Sequence, residues 1–266
     1  MELKVQNHRW LVNKLGRGDD FLVAFHGYGQ DSSWFKNIEE LLGDKYTILA
    51  IDLAYHGNQA DLPKSIVFDK GYALEWLAEI MALNNNSKLG FIGYSIGARV
   101  ALSIASWFPE TISEIYLFAP DGMPVSRTYK LLTGTWLGAK LFRGFIKKPG
   151  FAFGLIGLGK TTKILSKKVA EFFRNEISTS NKRQQLFDTW MTYRKALPNY
   201  SILAKQMKDK HLPITCILGK QDRVIPLKIT RSFAMKSLPG IELIELELGH
   251  NLLSDKGMRL LNEYWQ

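Results

Sequence analysis

The sequence predicts a doubly wound α/β fold, with a mostly parallel sheet and a helical segment inserted after the sixth strand. Short, nearly continuous apolar runs alternate with segments of helical spacing, as strands covered on both faces require. That alternation is interrupted after residue 120 and resumes near Pro213. The interrupted stretch also differs in charge: of 35 Lys+Arg and 25 Asp+Glu, it holds 18 and 5, leaving the remainder slightly acidic.

In chain order, two leading segments, Leu3–Gln6 and Arg9–Leu15, suit an antiparallel edge. FLVAFH (Phe21–His26), YTILAID (Tyr46–Asp52), KLGFIGY (Lys88–Tyr94), EIYLFAP (Glu114–Pro120), ITCILG (Ile214–Gly219) and IELIEL (Ile241–Leu246) read as strands. Between them Trp34–Leu42, Gly71–Leu83, Ala98–Phe108, Lys228–Lys236 and Leu252–Trp265 carry helical spacing and end near Gly, Asn or Pro. The domains expected are a core of residues 1–120 and 213–266 and a basic helical cap of 121–212. Within the cap, Val125–Leu132, Thr135–Ile146, Lys160–Phe173 and Asn181–Lys195 read as amphipathic helices. An insertion at that point belongs over the carboxyl ends of the strands, where such sheets bind ligands.

Composition excludes several classes. At 266 residues, with 46% hydrophobic and 23% charged, the chain is long and apolar enough to bury a core. A single cysteine, Cys216, forms no internal disulfide and no cysteine-rich zinc module. MELKVQNHRW lacks the basic start and apolar run of a secretion signal, and the least polar stretch, Gly150–Gly159, is too short to span a bilayer. A cytoplasmic location is expected.

The sharpest local signal is FIGYSIGAR, in which Gly93-Tyr94-Ser95-Ile96-Gly97 follows an apolar strand and opens a helix. A sharp strand-to-helix turn leaves no room for side chains beside the serine, and glycines two before and two after relieve the crowding. The helix starting behind Ser95 supplies positive potential where an oxyanion would form. A serine hydroxyl is a weak nucleophile and needs a base oriented by a third group. Among His8, His26, His56, His211 and His250, the last sits in ELGHN after the final strand, and fits the chain order Ser, acid, His. Asp222, in LGKQDRVIP, ends the preceding strand and is the favoured acid; Asp121, in FAPDG, competes. Ile96 and Tyr28, the latter in FHGYGQDSSW, are the expected backbone donors of an oxyanion hole.

HGYG, DLAYHG, GYSIGA, GKQDRVIP and GHN, in this order, resemble the α/β-hydrolase superfamily, and the match spans the whole predicted core. The resemblance implies an α/β-hydrolase fold with a helical cap and catalytic Ser95, Asp222 and His250. It further implies oxyanion donors at Tyr28 and Ile96, an acyl-enzyme cycle on a carboxylic ester or related acyl bond, and no metal or organic cofactor. Serine at the elbow departs from the dehalogenases of the superfamily, which carry aspartate there. GYSIGAR also resembles the GYSxGGR stretch of the menaquinone-pathway lyases, where the arginine helps bind a carboxylate-rich substrate. Arg99 holds that position, and the lyase or carbon–carbon hydrolase reading stays open beside it, as does a ligand receptor on the same scaffold. Trp34, Trp136, Phe142 and Trp190 are candidate pocket aromatics.

Two features of the cap compete with this reading. GLIGLGKT (Gly154–Thr161) satisfies the phosphate-loop pattern but lacks the preceding buried strand, and reads as a joint between helices. Thr135–Lys168 interleaves bulky apolar and basic residues, with ten basic and no acidic residues between Gly122 and Ala170. A pocket lid, attraction of an anionic or acyl small-molecule substrate, and peripheral contact with an acidic membrane all suit that mix. Nucleic acid is not expected, because no reading motif accompanies the charge. Oligomeric state is left open.

Overall fold

The computed structural model describes residues 1–57, 62–63, 66–85, 87–148, 150 and 177–265. Eight strands form one sheet: β1 (Glu2–Val5), β2 (His8–Leu15), β3 (Asp20–Phe25), β4 (Tyr46–Ile51), β5 (Leu89–Tyr94), β6 (Ile112–Phe118), β7 (Ile214–Gly219) and β8 (Glu242–Leu246). Their order is β1-β2-β4-β3-β5-β6-β7-β8, with β1–β2 and β2–β4 antiparallel and every later pair parallel. The antiparallel edge lies where the two leading segments are expected. β4, β5 and β7 are buried at every position, which is why their sequences run apolar without alternation.

The described helices are α1 (Lys36–Leu42), α2 (Lys70–Leu83), α3 (Ile96–Trp107), α4 (Arg127–Gly134), α5 (Trp136–Lys147), α6 (Ser180–Thr192), α7 (Tyr200–Lys210), α8 (Leu227–Ser237) and α9 (Asp255–Trp265). Phe35, Ile38 and Leu42 around α1, and Met258 and Leu261 of α9, share one core with Leu22, Ala24, Ile48, Ala50 and Ile217 of the sheet. On the other face Phe25 packs on Trp76 of α2, ring centroids 5.3 Å apart. Helices on both faces make the sheet doubly wound. Because β4 and β5 flank β3 on opposite sides, the chain reverses direction across the sheet there. The loops after β3 and β5 therefore leave from neighbouring carboxyl ends, the position at which such sheets bind ligands.

The chain divides into two compact units, residues 1–62, 68–124 and 196–266 in one, 63–67 and 125–195 in the other. α7 lies in the first of these units. Asn199 caps it, its Oδ1 accepting from the Ser201 and Ile202 N–H groups. Leu203 is fully buried, and the Asn199 N–H donates to Ser106 Oγ of α3 (3.1 Å). The Asn199 cap and the closing lysines were the legible signal for this helix.

In the second unit α4, α5 and α6 share an aromatic cluster: Phe142 lies 5.2 Å from both Phe187 and Trp190, and Tyr129 5.1 Å from Trp190. The expected helix Lys160–Phe173 and the glycine joint at 154–161 fall outside the described residues. Among the described residues no helix is long and apolar enough to cross a membrane.

Candidate active site

Ser95 stands between β5 and α3 with φ 52° and ψ −118°, a conformation that L residues rarely adopt. The turn is possible because of its neighbours. A Cβ on Gly97 would lie 2.0 Å from the Phe25 carbonyl oxygen, and one on Gly93 2.3 Å from Ala98 Cα. The Ser95 N–H donates to the Phe118 carbonyl (2.9 Å), and its own carbonyl accepts from the N–H groups of Ala98 and Asp121 (3.0 Å each). The elbow is therefore pinned from β6 and its loop as well as from α3. From Phe91 to Val100, Ser95 alone is not buried.

Asp222 and His250 come together from the loops after β7 and β8. The Lys220 and Gln221 N–H groups donate to the Leu246 and Leu248 carbonyls, tying one loop to the other. His250 Nδ1 then meets Asp222 Oδ2 at 2.7 Å. Asp222 Oδ1 accepts from the Val224 and Ile225 N–H groups (2.8 and 2.9 Å), so both oxygens are committed and the carboxylate is held in one orientation. The Asp222 side chain is 1% exposed and the His250 ring 25%.

Tyr94, which precedes the nucleophile candidate, carries a connection the sequence did not advertise. Its hydroxyl donates to the His250 carbonyl (2.8 Å), its ring lies 5.3 Å from the imidazole, and Trp34 stacks on its other side at 6.3 Å. Burial pushes this phenol up, so it remains a neutral donor. Among the described residues no hydrogen bond joins the Ser95 hydroxyl to the His250 ring; such bonds are often long before substrate arrives.

On the other side of Ser95, the Gln30 N–H donates to the Gly27 carbonyl (3.3 Å), closing a turn that carries Tyr28, with Gly29 at φ 74°. Ile96 is the first residue of α3, where backbone N–H groups lack partners within the helix. Tyr28 thus sits in the loop after β3 and Ile96 at the start of the helix that follows the neighbouring strand β5.

Arg99, a candidate for substrate binding, is 1% exposed and pairs with Asp121 Oδ2 at 3.6 Å. Its aliphatic stem packs beneath Gly122, and the Tyr200 hydroxyl donates to the Gly122 carbonyl. The guanidinium therefore lies against the loop after β6. Asp121, the competing acid, faces this arginine. Of the pocket aromatics, Trp34 stacks on Tyr94, Phe142 is buried in the aromatic cluster of the second unit, Trp190 is half-buried there, and Trp136 is 77% exposed.

His26 and His56, left open by the sequence, are structural. The Leu53 N–H donates to His26 Nε2 (2.8 Å) and the Nδ1–H donates to the Gly27 carbonyl (2.7 Å), clamping the ends of β3 and β4. His56 Nδ1–H donates to the Ala54 carbonyl. Burial, and next the nearness of His56, push His26 down to about 3 from an ordinary 6.5; burial lowers His56 as well. An unfolded chain takes up this proton at pH 6.5 and the folded one only near pH 3. The contribution of His26 to stability is therefore fully present above pH 6.5 and falls by about 1.4 kcal/mol per unit as the pH drops through that window. Urea unfolding between pH 6.5 and 4 should show that slope, and His26→Gln should flatten it.

The geometry places a strained serine at a helix N-terminus, a carboxylate-held imidazole tied to the residue before it, and a glycine turn at the adjacent strand end. Such a set is the equipment of nucleophilic acyl chemistry. Residues 20–257 match the family model of the alpha/beta hydrolase fold, and the chain belongs to that family. It is 22% identical over 251 residues to the uncharacterized hydrolase YugF of Bacillus subtilis (strain 168), covering 93% of this chain and 89% of that one. It is 25% identical over 228 residues to the pimeloyl-[acyl-carrier protein] methyl ester esterase of Wigglesworthia glossinidia brevipalpis, covering 81% of this chain and 80% of the relative. A thermophilic esterase from Thermogutta terrifontis superposes with a TM-score of 0.68 at 16% identity, covering 100% of this chain and 97% of that one.

Proposed function

We propose that the protein is a serine hydrolase that cleaves a carboxylic ester through an acyl-enzyme. The observation that carries the reading is the Asp222–His250 pair, closed at 2.7 Å and tied through Tyr94 to the elbow that presents Ser95. With Nδ1–H donating to Asp222, the His250 Nε2 lone pair is left to act as base. Ser95 Oγ attacks the ester carbonyl carbon while Nε2 takes its proton. The resulting oxyanion is held by the Tyr28 and Ile96 N–H groups, each such donor contributing about 3 kcal/mol in the transition state. Collapse expels the alkoxide, which receives the proton from His250. Water, deprotonated by the same imidazole, then attacks the acyl carbon and releases the acid and the serine.

The ester class is supported by the pimeloyl ester esterase and thermophilic esterase similarities. Arg99, the residue that favoured an anionic lyase substrate, is buried and pairs with Asp121 at 3.6 Å, which supports the ester reading over the lyase. Trp34, stacked on Tyr94, supplies apolar surface next to the residue that precedes Ser95 in this reading. The test is reaction of wild type and Ser95→Ala with a fluorophosphonate, read by intact mass. A one-to-one adduct on wild type alone is expected. A folded wild type that stays unlabelled, or a labelled alanine variant, overturns the nucleophile assignment.

A further inference from the structure

A second surface, unrelated to the hydrolytic chemistry, stands out on the α4–α5 hairpin. α5 is cut into three stripes by helical spacing. Gly138, Phe142 and Ile146 recur at intervals of four and are its buried residues. Trp136, Lys140, Arg143 and Lys147 form a second stripe, all exposed, and Leu137 and Leu141 form a third between the other two. The Trp136 side chain is 77% exposed, Leu137 58%, Leu141 61%, and Leu131 of α4 62%. Other exposed large apolar residues occur mostly singly or in pairs along the chain, as is ordinary. Four within eleven residues, three of them on one helix, are not.

The corner is held in place. Thr135 caps α5, its Oγ1 accepting from the Gly138 N–H and donating to the Leu131 carbonyl (3.0 Å each). A Cβ on Gly138 would lie 1.9 Å from that same carbonyl, so the two helices meet as closely as a glycine allows. The apolar side chains are thus presented on an anchored surface. Around them stand Arg127, Lys130, Lys140, Arg143, Lys147 and Lys148, with no acidic residue from 125 to 148. Lys140 Nζ lies over the Trp136 ring at 5.0 Å.

We propose that this face docks the protein on an anionic lipid bilayer, with Leu131, Trp136, Leu137 and Leu141 entering the headgroup–acyl boundary and the surrounding cations meeting lipid phosphates. Tryptophan and leucine beside lysine on an amphipathic helix suit that boundary, where one side of the surface is apolar and the other charged. A second copy of the chain fits less well: a two-fold contact through this face would set the cations of α4 and α5 against one another, and Asp188, the carboxylate among the described residues beside Arg143 and Lys147, is itself buried. Nucleic acid matches the charge but offers no counterpart for four exposed apolar side chains.

The test is co-sedimentation of the full chain with vesicles of equimolar phosphatidylglycerol and phosphatidylcholine, and with vesicles of phosphatidylcholine alone. Binding to the anionic vesicles is expected, with little to the neutral ones, and it should weaken as salt is raised. Lys140→Gln/Lys147→Gln should lower the partition coefficient about thirtyfold. Leu137→Ala/Leu141→Ala should lower it about tenfold or more. Melting temperatures near wild type establish that both variants are folded. The proposal is overturned if the wild type stays in the supernatant, binds both vesicles equally, or is unaffected by the leucine change. It is overturned in favour of self-association if sedimentation velocity shows a dimer that the leucine variant splits while vesicle binding is absent. Nucleic-acid binding is indicated instead if the lysine variant alone loses affinity, and for an oligonucleotide and not for vesicles.

Discussion

Ser95→Ala is expected to lower kcat for a short acyl ester by about a millionfold while leaving the melting temperature near that of the wild type. Both halves follow from the elbow. The strain at φ 52° is borne by the backbone, and alanine keeps the same Cβ in the space cleared by Gly93 and Gly97. The two backbone bonds that pin the elbow, to the Phe118 carbonyl and from the Asp121 N–H, involve no side-chain atom of residue 95. Loss of the hydroxyl therefore removes the proposed nucleophile and leaves the positioning intact. What remains should be the slower rate that oxyanion donors and binding alone give to an attacking water. Retention of even a thousandth of wild-type turnover in a pure variant would mean that another group attacks the substrate.

The second large effect belongs to Asp222. Asp222→Asn should reduce kcat about ten-thousandfold with little change in fold. An asparagine Oδ1 can still accept from the Val224 and Ile225 N–H groups, so the turn survives. Its amide, however, presents a donor to His250 Nδ1 where the carboxylate presented an acceptor. The imidazole is then driven to the tautomer with its proton on Nε2, which cannot take one from serine. Asp121→Asn provides the contrast. It disturbs the partner of buried Arg99 and should lower the melting temperature, but turnover should stay within about tenfold of wild type because Asp121 faces Arg99 (3.6 Å). Steady-state kinetics and thermal melts on the two variants separate the roles; a larger kcat loss in Asp121→Asn would reverse the assignment of the acid.

How much was legible in advance varied with the range of the interaction. Tyr46–Ile51, Leu89–Tyr94 and Ile214–Gly219 were readable as buried parallel strands because burial on both faces writes itself into consecutive apolar residues. The elbow was readable because steric crowding within five residues demands glycine at two of them. α7 was missed in spite of its Asn199 cap, since the surrounding stretch had already been set apart by charge. Charge marks a surface, and it does not say on which compact unit a helix packs.

The sequence by itself determined the strand–helix alternation, the sharp turn at Ser95 and the order of the serine, acid and histidine candidates. Each rests on local sterics or on periodic burial, which neighbouring residues encode. The tertiary structure alone decided that Asp222 receives His250 while Asp121 receives Arg99, that His26 clamps two strand ends, and that Tyr94 ties the histidine loop to the elbow. These contacts join residues from separate strands, helices and loops, 22 and 156 positions apart for the Arg99–Asp121 and Tyr94–His250 pairs. Side-chain partners at such separations are chosen by the packing of strands and helices, so a residue's chemical type shows what it can bind and the fold shows what it does bind.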